Sequence, residues 1–158
     1  MEELATYRAD LLSALARLVD ELPVTAFHIS AAACHRSTLP GSPTPHFLLF
    51  QLCELEEQVF STQLPRFVAE EHPFLPVFDI ETWMAAHYQP QEPASAILDE
   101  LLKLRRQELT WLHNLPNLAW SRSARHPWWG EHTLQWWVEL QLEYSIQHLA
   151  QLSLAKDI

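Results

Sequence analysis

The prolines of this 158-residue chain set the limits on its fold. There are eleven, and most gather in four short stretches, 39–45, 73–76, 90–93 and 116–127. Only two residues, Gly41 and Gly130, are glycine. Proline lacks a backbone donor and clashes with the preceding turn, so it ends or kinks a helix. The chain between the clusters is rich in Leu and Ala with few β-branched runs, which favours helix over strand. Four segments of roughly 20 residues remain, each long enough for a helix of about 30 Å.

The last segment, 131–156, has no internal Gly or Pro. Leu134, Val138, Leu142, Leu149 and Leu152 recur at steps of three, four and seven, one apolar stripe of a helix. Gln141, Tyr144, Ser145 and His148 fall on the same side, and Tyr144 and His148, four apart, stand one turn from each other. Polar groups that share a helix face with core leucines often line a site.

The other segments follow the same logic. The first helix is expected over 2–21, with Leu4, Leu11, Leu15 and Leu18 inward and Leu12 and Ala14 widening the face. Pro23 breaks or kinks it, and 24–35 forms a second helical piece that Thr25 can cap. Thr44-Pro45 reads as an N-cap followed by proline at the first helical position. The helix it opens turns Leu48, Leu52, Leu55 and Val59 inward, with Gln51 at the border and Glu54, Glu56 and Glu57 on the solvated side. Pro65 kinks or ends it, with a last piece to about Glu71. Residues 72–79 cannot be helical, and Asp79 caps a short helix over 80–87. The third long helix runs from near Pro93 to about Asn114, with Ile97, Leu101, Leu104 and Leu112 inward. Residues 117–130 read as a Trp-rich loop closed by Gly130, after which His132 or Thr133 opens the last helix. The expectation is one all-α domain over 1–158, a four-helix bundle. A connection of roughly two dozen residues between helices two and three lets them run parallel.

Charge and cysteine content narrow the function. A formal charge of −10 repels phosphate backbones and anionic lipid heads, so neither nucleic acid nor a membrane surface is an expected partner. No apolar run approaches a membrane span, and the acidic start MEELATYRAD is not a signal peptide, which points to the cytoplasm. Cys34 and Cys53 have no metal-site or framework spacing and read as reduced, buried thiols.

Several pieces, in order, resemble the DinB-like superfamily of bacterial four-helix bundles. They are QLCELEEQVF on helix two, LRRQELTWLHNL on helix three, the Trp120-Ser121-Arg122 group, His126, Gly130 with Thr133-Leu134, and His148-Leu149-Ala150-Gln151-Leu152. The likeness covers nearly the whole chain, best from about 44 to 153. It implies up-down-down-up topology, often a homodimer, and a zinc or nickel ion held by three histidines at one end of the bundle. One of those lies in an HLxxxE-type motif on helix two, and two lie in an HDxxHLxQ motif on helix four. Characterised members include transferases and isomerases of low-molecular-weight thiols, in which the metal lowers the thiol's pKa.

The resemblance places the three ligand positions on Gln51, Tyr144 and His148, so only one histidine remains. The aspartate of the motif falls on Ser145. A catalytic zinc site uses three good ligands and an open position, and Gln and neutral Tyr are poor ligands for zinc or nickel. The metal is therefore expected to be absent or weak, with Gln51, Tyr144 and His148 forming a hydrogen-bonded remnant in which Tyr144 can donate to His148. His132 is about 24 Å from His148 along the helix and cannot join it. His46 and Cys53 point elsewhere around helix two; Glu54, His87 and His126 are the remaining substitutes. Arg105 or Arg106 either pairs with a helix-two glutamate or stays solvated. Trp136 and Trp137 are about 100° apart and cannot both face inward.

Three functions follow. The first is a divergent or non-catalytic bundle that binds a small molecule, expected as a homodimer. The second is a metal-dependent thiol S-transferase or related hydrolase. The third is an interaction protein that works through its Trp-rich surface.

Overall fold

The computed structural model describes residues 2–155. Four long helical segments form the bundle. They are α1 (Glu2–Phe27), α3 (Pro45–Leu55) with its continuation, α7 (Ala94–His113) and α8 (Leu134–Ser153). Short elements connect them: α2 (Ala31–Cys34), α6 (Ile80–His87), a 3₁₀ turn at Asn117–Ser121, and the strands β1 (Ser123–His126) and β2 (Gly130–Thr133). Helix α1 packs on α7 and α8, and so does α3.

Two apolar clusters fill the bundle. One joins Leu11, Leu12 and Leu15 of α1 with Val59, Phe60, Leu64, Leu112, Leu134 and Val138. The other joins Val19 and Leu22 with Leu48, Leu52, Ile97, Leu101 and Leu152. Residues early in the first and last helices thus meet residues late in the second and third, and the reverse holds at the other end.

The caps lie where the sequence puts them. Thr44 Oγ1 accepts from the Phe47 amide (3.1 Å), Asp79 Oδ1 from the Thr82 amide (3.2 Å), and Thr133 Oγ1 from the Trp136 amide (3.2 Å). Each satisfies a donor that the first helical turn leaves free.

Four local expectations need correction. Pro23 does not end α1, which continues to Phe27. Burial of Val19, Leu22 and Thr25 around the proline holds the helix despite the lost hydrogen bond. Thr25 is therefore interior to a helix, and Ser30 caps α2 instead. Leu4 is an exposed residue of α1 rather than part of its core face. The Trp-rich loop contains a β-hairpin, with Ser123 paired to Thr133 and His126 to Gly130. Residues 131–133 therefore belong to a strand, and α8 starts at Leu134. Gly130 has φ +77°, a left-handed conformation that glycine adopts without strain.

The largest correction is in the second long segment. After Leu55 the helix widens into a π-helical stretch, Glu56–Phe60, before α4 (Ser61–Gln63) and α5 (Arg66–Ala69). The Ser61 amide reaches the Glu56 carbonyl five residues back. Glu56 is not on the solvated side: it has no exposed surface. Among the described residues, no helix is long and apolar enough to cross a membrane.

Candidate functional site

A cavity of about 440 Å³ opens between the second long segment, α8, the hairpin and the chain from Pro76 to Glu81. Backbone pairing sets its outer wall. The Leu75 amide donates to the Arg125 carbonyl (2.8 Å), and the Arg125 amide to the Pro73 carbonyl (2.9 Å). This lays 73–75 along β1 and brings Pro76, Val77 and Phe78 to the cavity. Phe60, Trp128, Trp129, Trp137 and Tyr144 supply flat aromatic walls. Of the adjacent tryptophans, Trp137 is buried and Trp136 is half-buried, stacked on His132 at 3.7 Å.

Gln51, Tyr144 and His148 all line this cavity. His148 is buried, and both its ring nitrogens have partners. Nδ1 lies 2.7 Å from the Tyr144 carbonyl oxygen, and Nε2 lies 3.1 Å from the Gln51 side-chain amide. Tyr144 thus holds His148 through its backbone rather than its hydroxyl. Burial lowers the His148 pKa, a hydrogen bond to the Tyr144 carbonyl opposes this, and the charge of Arg105 lowers it further. A carbonyl only accepts, so neutral His148 carries its proton on Nδ1 and offers a lone pair at Nε2. The Gln51 amide, whose O and N ends are interchangeable assignments, then donates its NH₂ to that lone pair.

Behind His148 lies a buried polar network. Glu56 Oε2 accepts from Arg105 Nε and from Gln141 Nε2, both at 2.7 Å, and Arg105 Nη2 donates to Ser145 Oγ at 2.7 Å. Ser145 in turn donates to the Gln141 carbonyl (2.7 Å). Glu56 and Arg105 side chains are 0% and 3% exposed, so this is an interior ion pair. Burial alone would raise the Glu56 pKa, but the Arg105 charge and hydrogen bonds from Glu108, Gln141 and Arg105 outweigh it and hold the group ionised. Glu108 goes the other way: burial, then the Glu56 charge and a hydrogen bond to Glu56, push it well above the carboxylate range. Glu108 is therefore a neutral acid that donates to Glu56. The sequence does not mark Glu108 as a site residue, and it puts Glu56 on the solvated side, where the structure does not. The signal was positional. Glu56 is four residues after Leu52, and Glu108 is four before Leu112.

The other candidate ligands are occupied elsewhere. Glu54 Oε2 accepts from Trp83 Nε1 (2.7 Å), and His87 stacks on Trp83 at 3.8 Å. His46 sits between the Tyr88 hydroxyl (2.8 Å) and the Glu92 carbonyl (2.6 Å). Burial, then the nearby glutamates, pushes the Cys53 thiol up to about 12, so it does not offer a thiolate. His126 does reach the cavity wall, but its Nδ1 accepts from the Trp128 and Trp129 amides (both 3.2 Å). Among the described residues, no group of three or more His, Cys, Asp and Glu is placed to hold a metal ion. One imidazole, one amide and a phenol do not fit the donor set that zinc or nickel requires.

Ser123, His72 and Glu131 make a triangle that superficially suits a hydrolase. Ser123 Oγ lies 3.1 Å from His72 Nδ1 and 3.0 Å from Glu131 Oε1, which lies 3.0 Å from His72 Nε2. In a working triad the hydroxyl and carboxylate sit on opposite sides of the ring. Here they touch each other, so the imidazole does not relay between them.

The bundle has a solved counterpart. YfiT from Bacillus subtilis, described as a probable metal-dependent hydrolase with an unusual four-helix bundle topology, superposes with a TM-score of 0.84. The match covers 92% of this chain and 83% of YfiT at 17% identity, which establishes the four-helix bundle fold. No protein-family model matches the sequence, and no curated protein matches it. The metal dependence described for YfiT belongs to YfiT; the chain here has its own donor set.

Proposed function

We propose that this protein is a divergent, non-catalytic member of the DinB-like bundles that binds a small organic molecule in the 440 Å³ cavity, without a metal ion at Gln51, Tyr144 and His148. One observation carries this reading. The single histidine at the ligand positions spends Nδ1 on the Tyr144 carbonyl and Nε2 on the Gln51 amide, a closed arrangement that satisfies itself. The cavity supports the rest: its size falls in the range of small-molecule sites, and its lining is mostly apolar with a few polar groups.

N-phenyl-1-naphthylamine, a neutral probe that brightens in apolar surroundings, tests the cavity. Saturable one-site binding is expected, unaffected by EDTA. Leu140, half-buried in the wall, allows the cavity to be filled: Leu140→Trp should abolish binding while helical circular dichroism stays intact. Equal binding by wild type and the filled variant would remove the proposal.

A further inference from the structure

His126 is 6% exposed, lines the cavity, and has its ring orientation fixed from two directions. It stacks on Trp129 with centroids 4.3 Å apart and planes at 16°. Its Nδ1 accepts from two backbone amides, those of Trp128 and Trp129. Two N–H groups aimed at one nitrogen require a lone pair there, so the ring proton sits on Nε2. Burial, which lowers the His126 pKa, keeps the ring neutral. Among the described residues, no hydrogen bond occupies that Nε2–H, which leaves it free to donate to a molecule in the cavity. Among the described residues the lining contains no Lys or Arg, and the exposed Asp79 and Glu81 belong to it.

We infer that His126 Nε2–H is the polar recognition element of the cavity, and that its ligand is an uncharged aromatic molecule bearing a hydrogen-bond acceptor such as a ketone. This rests on the small-molecule reading above and deepens it. The aromatic walls take the flat body, His126 takes the acceptor, and the acidic lining with no cation disfavours carboxylates and phosphates. The Trp128 and Trp129 amides, by setting the tautomer, decide that the site reads acceptors rather than donors.

Three probes of one shape test this by calorimetric titration: 2-acetylnaphthalene, 2-ethylnaphthalene and 2-naphthoate. The acetyl compound should bind about tenfold tighter than the ethyl compound, the size of one well-made hydrogen bond. Naphthoate should be weakest. His126→Asn keeps an acceptor for the loop amides but withdraws the distal donor, so it should lose the preference for the acetyl over the ethyl compound. A preference unchanged in His126→Asn, or no preference in wild type, overturns the inference while leaving the cavity a binding site. Binding of none of the three overturns both readings.

Discussion

Replacing Arg105 by Met isolates the interior ion pair. The methionine fills most of the arginine's volume but removes two charge-assisted hydrogen bonds, to Glu56 and to Ser145, each 2.7 Å long. Such bonds contribute about 1.5–3 kcal/mol each. Removal of one partner of a buried pair costs about 3–5 kcal/mol, because the remaining charge keeps its desolvation penalty. Glu56 still accepts from Gln141 at 2.7 Å and from Ser61 at 3.3 Å, so a loss near the lower end, about 3 kcal/mol at pH 7.5, is expected. The sign of the pH dependence follows. In the wild type the Glu56 pKa is depressed, so its contribution is present above the ordinary value of 4.5 and fades as pH falls through the folded value. Without Arg105 the folded pKa rises, and protonation relieves the buried charge. The gap between wild type and variant should therefore be widest near pH 7.5 and narrow toward pH 4.5. Urea denaturation followed by the fluorescence of the seven tryptophans measures it. Glu56→Gln combined with Arg105→Met should lose less than Arg105→Met alone. A loss under about 1 kcal/mol at pH 7.5, or one that does not change with pH, would refute the assignment of a buried, charged pair.

Glu108→Gln mimics the neutral acid. Because the Glu108 pKa is raised, its stabilising effect is present below 4.5 and lost as pH rises through the folded value. The variant should thus be more stable than wild type at alkaline pH and similar near pH 5; a uniform loss in urea melts would contradict a protonated Glu108. Thr133→Ala removes the cap of α8 and should cost about 1 kcal/mol in the same assay, with no measurable loss counting against the cap. Gln51→His with Tyr144→His should create zinc binding by titration. The 3.1 Å between His148 Nε2 and Gln51 Oε1 is close to the about 3.3 Å that separates two ligands of a tetrahedral zinc ion. Failure of the double variant to bind zinc would mean that these positions do not converge.

Much of the bundle could be read in the sequence because its signals are local. Thr44-Pro45, Asp79 and Thr133 act within one turn, and each caps its helix in the structure. Pro23 misled because its cost is local while the packing of Val19 and Leu22 that offsets it is not. The hairpin at 123–133 was hidden because four-residue strands have too little alternation to show a period. At the site, Gln51 and His148 face each other across 97 positions of sequence, a meeting that the family resemblance suggested and periodicity could not. The pairing of Arg105 with a helix-two glutamate is one of two readings the sequence leaves open, and Glu56 fulfils it; the burial of that pair and the part of Glu108 are not legible for a different reason. All three occupy core positions of their helices, but charged residue types default to the surface, and only partners on other helices make their burial tolerable. The role of His126 depends on which nitrogen the loop amides occupy, a detail that no spacing encodes.

The most direct test of the account is the metal content of untagged protein dialysed against zinc or nickel and then against metal-free buffer. With His148 closed by Tyr144 and Gln51, the wild type should retain far less than one equivalent, and His148→Ala should be no different. One equivalent of either metal in the wild type, lost in His148→Ala, would contradict the account.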